Sequence, residues 1–541
     1  METQSNPAAD RAAALANAFF LKGNWAEALI GYSFAIDGDD RNPVLYANRA
    51  ACEERLKRYL NTAEDARIAV HLDPAYTRAW DQLAGAELRL GHYELSIQAW
   101  KAAINYLPKS GLSESKQEDK AAEYEEKIAE VERCRQAERL GLQHRPNGWS
   151  VPPEDQPVNR ASALVDGLGV NGMADNFSCA WLIMGIKLEV FLGVDRLNVL
   201  KTELIDGRTC SSGVFRTVEH LCNAVVRDGR AFYIIPWTSH LRLKDQISFE
   251  LSSFKGWDYG SAETILKEAK QRLHTQTWLE VRDALASTTS AYILRALESY
   301  ERYQHSVSAL AFYNAALEII HGVRGLPLAI PEDYRGVAFT QTFCRGVKTL
   351  RIETAIKVHM EDPEELPVTT LKIFAEDLLA DAASDHTKDP QDTGRVLAFW
   401  IYPVAKAHAA LALCDCRLAQ KAMQDNASMD EQVRDLWRRG ADGYIQAASE
   451  LPVDEEITYA YINEALKAYW KGGVTLDITL PWMEMLKEGL PKMKRIWENS
   501  MFALEGGIAA IEKTLRFHAD VKTMLTDGKA NMDAVVQPPW L

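Results

Sequence analysis

The run Val44-Leu45-Tyr46-Ala47-Asn48-Arg49-Ala50-Ala51, followed further on by Leu72-Asp73-Pro74-Ala75-Tyr76, decides the fold. Asp73-Pro74 stops a helix, because proline lacks an N–H and restrains the residue before it. Leu107-Pro108 repeats that stop 34 residues later. Carried backwards, the period divides the start of the chain into windows 9–42, 43–76 and 77–110. In register these windows align Ala16, Ala50 and Ala84, then Gly23, Lys57 and Gly91, then Trp25, Tyr59 and Tyr93. Their second halves align Ala28, Thr62 and Ser96, and then Ala35, Ala69 and Ala103.

Each aligned position has a packing reason. Small residues at Ala16, Ala50 and Ala84 let the first helix of a pair approach the second, and Gly23 and Gly91 supply a left-handed helix stop. The aromatic two residues later plugs the gap between the paired helices. Small residues at Ala28, Thr62, Ser96, Ala35, Ala69 and Ala103 make the packing ridge of the second helix. The pattern resembles the tetratricopeptide repeat (TPR) family, a helix–turn–helix unit of 34 residues. The resemblance implies an all-α superhelix whose concave wall is lined mainly by the first helix of each pair. An extended peptide fits such a wall, so binding rather than catalysis is the expected role.

The local strings quoted above resemble the cochaperone type of TPR, as in the small glutamine-rich TPR proteins and the chaperone-organising proteins. That resemblance implies a carboxylate clamp for the EEVD tail of heat-shock chaperones: a Lys and an Asn on the first helix, an Asn on the third and two basic residues on the fifth. Asn17, Asn48 and Arg78 match it. Ala13 stands where the Lys belongs and Gln82 where the second basic residue belongs. A charge-assisted hydrogen bond contributes roughly 1.5–3 kcal/mol, so two missing cations weaken carboxylate binding by about 10²–10⁴-fold. Arg55 and Arg89 are expected at the groove edge, where they could supply substitute charge. The expected peptide-binding set is therefore Asn17, Asn48, Arg78, Gln82, Arg55 and Arg89.

Downstream, residues 113–140 read as a capping helix with a narrow stripe of Tyr124, Ile128, Val131 and Cys134, and 142–159 as a Pro-rich linker. From 160 to 541 the dominant period is helical, giving a large helical domain, TPR-like in part, that resembles no named family. Expected helices include Asn176–Val194, Val214–Val226, Ser287–His321, Val396–Met423 and Leu480–Leu490; only Ala231–Pro236 and Gln246–Leu251 look strand-like. Ala309, Tyr313 and Ala316-Leu317, and Trp437, Gly440, Tyr444 and Ala447, reproduce the spacing of the second helix of the repeat.

Catalytic chemistry is faint. Gly167-Leu168-Gly169-Val170-Asn171-Gly172 matches GxGxxG, but the polar lead-in Arg160–Asp166 is not the buried strand a dinucleotide site needs. The acidic group around His359 (Glu361, Asp362, Glu364, Glu365) is broken by Pro363 and reads as an exposed loop. His305, His321 and His408 lack a third partner at ligand spacing. No cofactor or metal is expected and the chain reads as a non-enzyme, the rival reading being an unrecognised enzyme in 160–541 to which the repeats recruit substrate. The tail Gln537-Pro538-Pro539-Trp540-Leu541 is expected to pack against the helical domain or to serve as a docking peptide.

Composition is that of an ordinary soluble globular protein. The 541 residues are 47% hydrophobic and 25% charged, with 61 Lys and Arg against 76 Asp and Glu and a net charge of −15. That balance argues against nucleic acid, which requires a basic face. The start of the chain is polar and acidic, and the apolar stretch Phe177–Val194 is interrupted by Lys187 and Glu189, so neither a targeting signal nor membrane insertion is expected. Eight scattered cysteines read as reduced thiols. The expectation is a cytoplasmic adaptor for a protein or peptide partner, with a chaperone C-terminal tail as the candidate.

Overall fold

The computed structural model describes residues 7–141, 150–168, 177–205, 208–301, 304–326, 330–385, 392–426 and 430–541. It is an all-α protein that divides into two compact units: residues 1–144 with 257–326, and residues 145–256 with 327–541.

The first unit opens with three helical hairpins: α1 (Pro7–Leu21) and α2 (Trp25–Gly38), α3 (Pro43–Arg55) and α4 (Tyr59–Leu72), α5 (Thr77–Arg89) and α6 (Tyr93–Tyr106). A long helix, α7 (Glu114–Gly141), follows. The turns within the hairpins are copies of one another. Gly23, Lys57 and Gly91 all adopt positive φ, at 78°, 61° and 75°. Asn24, Arg58 and His92 then donate backbone N–H groups to the carbonyls of Phe19, Glu53 and Glu87, the long-range bond of a Schellman stop. Ala16, Ala28, Ala35, Ala50, Ala66, Ala69, Ala84 and Ala103 are fully buried, as close helix approach demands. Along α7, Tyr124 and Val131 are buried and Cys134 is exposed. Lys127 pairs with Asp81 at 2.9 Å and lies over the Trp100 ring, fixing α7 to the third repeat.

The same unit contains a segment that the sequence reading assigned to the downstream domain. Helices Ala262–Arg272, Trp278–Glu301 and Ser306–Arg324 belong with the repeats. Glu64 of α4 accepts hydrogen bonds from the Ser261 N–H and the Thr264 hydroxyl. Ser308 donates to the Leu90 carbonyl at 2.9 Å, and Tyr93 bonds His305 at 2.6 Å. The expected single helix Ser287–His321 is broken, with Gln304 at φ 57° leading into the new helix start at Ser306. Ala309, Tyr313, Ala316 and Leu317 are buried in that last helix.

The second unit is also helical. Its only strands among the described residues, Lys201–Ile205 and Arg208–Ser212, form an antiparallel hairpin. The two expected strands are absent: Gly229–Tyr233 is a 3₁₀ turn capped by the Asp228 carboxylate, and 246–251 lies inside the helix Trp237–Phe254. Pro236 precedes that helix and leaves the strand-like apolar run too short to pair. Within the expected linker, Pro157 is the first residue of the helix Pro157–Leu168, a position proline fits because its missing N–H would be unsatisfied there. Residues 142–149 of that linker, and 169–172 of the glycine motif, lie outside the described residues. The motif's lead-in is helical, not a strand.

Two arginines organise this unit, one fully buried and one half-buried. Arg345, fully buried, binds Asp381 and Asp385 at 2.8 Å each and donates to the Phe399 carbonyl, which lies in the π-helical turn Leu397–Ile401. Widening the turn frees a carbonyl that the guanidinium then satisfies. Arg230 lies over Trp497 at 4.3 Å and pairs with Asp228, Glu455 and Glu456 at 2.7, 2.8 and 3.1 Å. The apolar stretch Thr393–Asp425 is the one described helix long and apolar enough to cross a membrane, and 72% of its apolar window is buried in the protein. The C-terminal tail packs here: Trp540 meets Trp470 edge to face at 5.8 Å, and the backbone N–H groups of Leu476 and Asp477 bond the carbonyls of Ala534 and Met532.

Candidate functional site

The candidate groove is built from the first helices of the three hairpins, and helix periodicity puts its polar residues on one face. Ala13 and Asn17 lie four residues apart on α1, and Arg78 and Gln82 lie four apart on α5, so each pair shares a stripe. Asn48 of α3 stands 34 residues before Gln82 and takes the same place one repeat earlier. Asn17 and Arg78 are exposed, and Asn48, Gln82 and Ala13 are half-buried.

Hydrogen bonds fix this row. The Tyr32 hydroxyl, from α2, donates to Asn17 Oδ1 at 2.5 Å. Burial, reinforced by the Cys52 thiol and opposed by the Arg78 cation, pushes the Tyr32 phenol up to about 12, so it stays a donor. Arg78 Nη1 approaches Asn48 Oδ1 at 3.4 Å, and Gln82 Nε2 donates to the Ala47 carbonyl at 3.0 Å. Their engaged oxygens orient Asn17 and Asn48, whose amide NH₂ groups are donors only. Gln82 Oε1 is buried and accepts no hydrogen bond. Sequence reasoning missed Tyr32 as the positioning partner. The available signal was a tyrosine in register with Ala66 and Trp100, where the first and third repeats carry large side chains.

Arg55 and Arg89 stand elsewhere. Arg55, ending α3, lies over the Trp25 ring at 5.7 Å, and Arg89, ending α5, lies over the Tyr59 ring at 6.0 Å. Both contacts join a first helix to the aromatic plug of the preceding repeat. The structure therefore gathers Asn17, Asn48, Arg78 and Gln82 and sets the two arginines at the hairpin turns. Two other cations of the array are engaged: Arg49 grips Asp65 through two nitrogens at 2.7 and 2.8 Å, and Arg67 meets Glu87 at 2.6 Å. Residues 1–110 carry 12 Lys and Arg against 14 Asp and Glu, so no general positive field adds to Arg78. Among the described residues, the segment 257–326 hydrogen-bonds the array at Glu64 and at 90–93.

Elsewhere several titratable groups are held by local partners. His359 is buried and bonds the Leu366 carbonyl at 2.8 Å, while Asp362 accepts from the N–H groups of Glu364 and Glu365. His408 meets Gln446 at 3.1 Å. Around Arg230, burial alone would raise Asp228, but Arg230 and Lys406 overcome it and hold the carboxyl down at about 2. No group of three metal-ligating side chains occurs among the described residues.

Comparison with known proteins places the array. Over 113 residues the chain is 34% identical to the Hsp70-Hsp90 organizing protein of Triticum aestivum, covering 20% of this chain and 19% of that one. Over 179 residues it is 26% identical to the heat-shock protein cognate co-chaperone sgt12 of Aspergillus fumigatus, covering 33% and 47%. The N-terminal helices form a tetratricopeptide-repeat array similar to those of cochaperones. The chain spans less than half the length of either relative. Among solved structures, the first TPR of Spaghetti bound to the HSP90 peptide SRMEEVD aligns at 25% identity, over 23% of this chain and 99% of that one, with a TM-score of 0.20. No protein-family model matches the chain.

Proposed function

We propose that this protein is an adaptor whose TPR groove binds a peptide segment of a partner protein. The observation that carries the reading is the polar row Asn17, Asn48, Arg78 and Gln82, exposed at Asn17 and Arg78 and positioned on adjacent first helices of the array. Two side-chain amides at this spacing suit an extended backbone, and the Arg78 guanidinium suits a carboxylate. The cochaperone relatives make a heat-shock chaperone tail the first partner to test, and the cytoplasm the compartment in which to look.

Affinity capture with the full chain tests this reading. The wild type should retain a partner set that the Asn48→Ala, Arg78→Ala double variant loses, with thermal stability unchanged. Equal capture by both proteins would refute the groove assignment.

A further inference from the structure

The first hairpin leaves open a face through which the next repeats pack. Arg49, in register with Leu15, donates to Ser33 Oγ of the preceding repeat at 3.2 Å, and Leu83, next in register, is buried. Leu15 itself is 57% exposed, and Ile30 and Phe34 on α2 are 58% and 69% exposed. These three share one side of the hairpin. A Cβ on Gly31 would lie 2.8 Å from Ala16 Cβ, so those two positions face each other between the helices. Leu15, Ile30 and Phe34 turn from them by about 60–100° in one sense, and in antiparallel helices the same sense leads to the same side. The charges around this apolar patch are sorted by helix. Arg11 and Lys22 flank it on α1, and Glu27 and Asp37 flank it on α2, with Lys22 and Glu27 at the turn end and Arg11 and Asp37 at the open end. All four are exposed, and no ion pair joins any of them to a described residue.

We propose that this face joins two copies of the chain, related by a two-fold axis running along the hairpin. Such an axis lays α1 of each copy on α2 of the other without shifting it lengthwise. Leu15 then meets Ile30 and Phe34 of the other copy, Lys22 meets Glu27 at the turn end, and Arg11 meets Asp37 at the open end. A two-fold axis perpendicular to the helices would instead set Arg11 against Lys22 and Glu27 against Asp37, so the charges select the first arrangement. Helices of 15 and 14 residues are each about 20 Å long and lie about 10 Å apart, which offers on the order of 400 Å² per copy. That is about half of a standard interface, so association is reversible, with a Kd on the order of 10 μM. Asn17 lies two residues beyond Leu15 and points about 160° away from it around α1, which leaves the polar row of each copy open. The dimer therefore presents two grooves, and a partner with two binding segments gains avidity.

Sedimentation velocity of the full-length protein, from about 1 to about 100 μM, tests this contact. The wild type should pass from monomer to dimer within that range. Phe34→Asp should raise the dimer Kd about 30-fold or more, because the two-fold axis makes the loss count twice. Lys22→Glu and Glu27→Lys, each alone, should raise it about tenfold by setting like charges together at two places. An equimolar mixture of those two variants should regain wild-type association, because opposite charges face each other again across the contact. That recovery cannot come from either chain alone. A wild type that stays monomeric throughout, or a dimer that Phe34→Asp leaves intact, would overturn the proposal. A mixture that associates no better than its components would overturn the pairing of α1 with α2.

Discussion

At the scale of single residues, the repeat makes its own controls. Lys57 occupies with φ 61° the position that Gly23 and Gly91 fill in the neighbouring repeats. A side chain in left-handed conformation costs roughly 1 kcal/mol relative to glycine. Lys57→Gly should therefore stabilise the first unit by about 1 kcal/mol, read as a raised denaturation midpoint, and a loss of stability would contradict the account of these turns. Glu53 offers a pH prediction. Burial, only partly offset by Arg58 at 3.7 Å, pushes its carboxyl from 4.5 up to about 7. The folded state then holds a proton that the unfolded chain releases, so the contribution of Glu53 to stability is fully present below about pH 4.5 and is lost as pH rises through 7. Replacing it by the uncharged Glu53→Gln should remove a penalty on the order of 2–3 kcal/mol above pH 7 and flatten that part of the profile. Chemical denaturation between pH 5 and pH 8 checks both the slope and its loss.

At the scale of elements, the hairpins were legible because three signals coincide: the proline stops, the small-residue ridges and the aromatic plugs. Lys57 hid one turn from a glycine search, but the period recovered it. Other elements were obscured by physics that a window of sequence does not contain. The Ala231–Pro236 run looks like a strand, yet Asp228 caps it into a 3₁₀ turn. The strand pair that does form, at Lys201–Ile205 and Arg208–Ser212, is mostly polar; its one signal was the intervening Asp206-Gly207, a favoured hairpin dipeptide. The break at Gln304 falls within apolar helical periodicity and is marked by no glycine or proline nearby. Helix packing supplies a further test at this scale. A methyl on Gly440 would lie 2.5 Å from Cys416 Sγ and 3.0 Å from the Ala412 carbonyl. Gly440→Ala should therefore destabilise the second unit by about 1–3 kcal/mol despite its better helix propensity. A neutral or stabilising result in a thermal melt would show that these two helices pack more loosely.

At the scale of the molecule, the sequence predicted an all-α chain opening with three TPR hairpins, and the structure and the cochaperone relatives agree. It did not predict that residues 257–326 join the repeats. That association depends on Glu64 meeting Ser261 and Thr264, and on Tyr93 meeting His305, contacts between positions some 200 residues apart. The candidate row Asn17, Asn48, Arg78 and Gln82 came from the resemblance to cochaperone repeats, whereas the stacking of Arg55 and Arg89 on aromatic rings carried no sequence signal. The tail Trp540, half-buried against Trp470 and beneath Lys513 at 4.3 Å, acts as an internal strap. Trp540→Ala should lower the stability of the second unit by about 1–3 kcal/mol while leaving peptide capture by the groove intact.

Hydrogen–deuterium exchange of the full chain, with and without a captured peptide, tests the groove most directly. Protection should concentrate on α1, α3 and α5, around residues 13–17, 44–48 and 78–82, and vanish in the Asn48→Ala, Arg78→Ala variant. Protection confined to α2, α4 and α6, or to the second unit, would contradict a binding groove on the first helices.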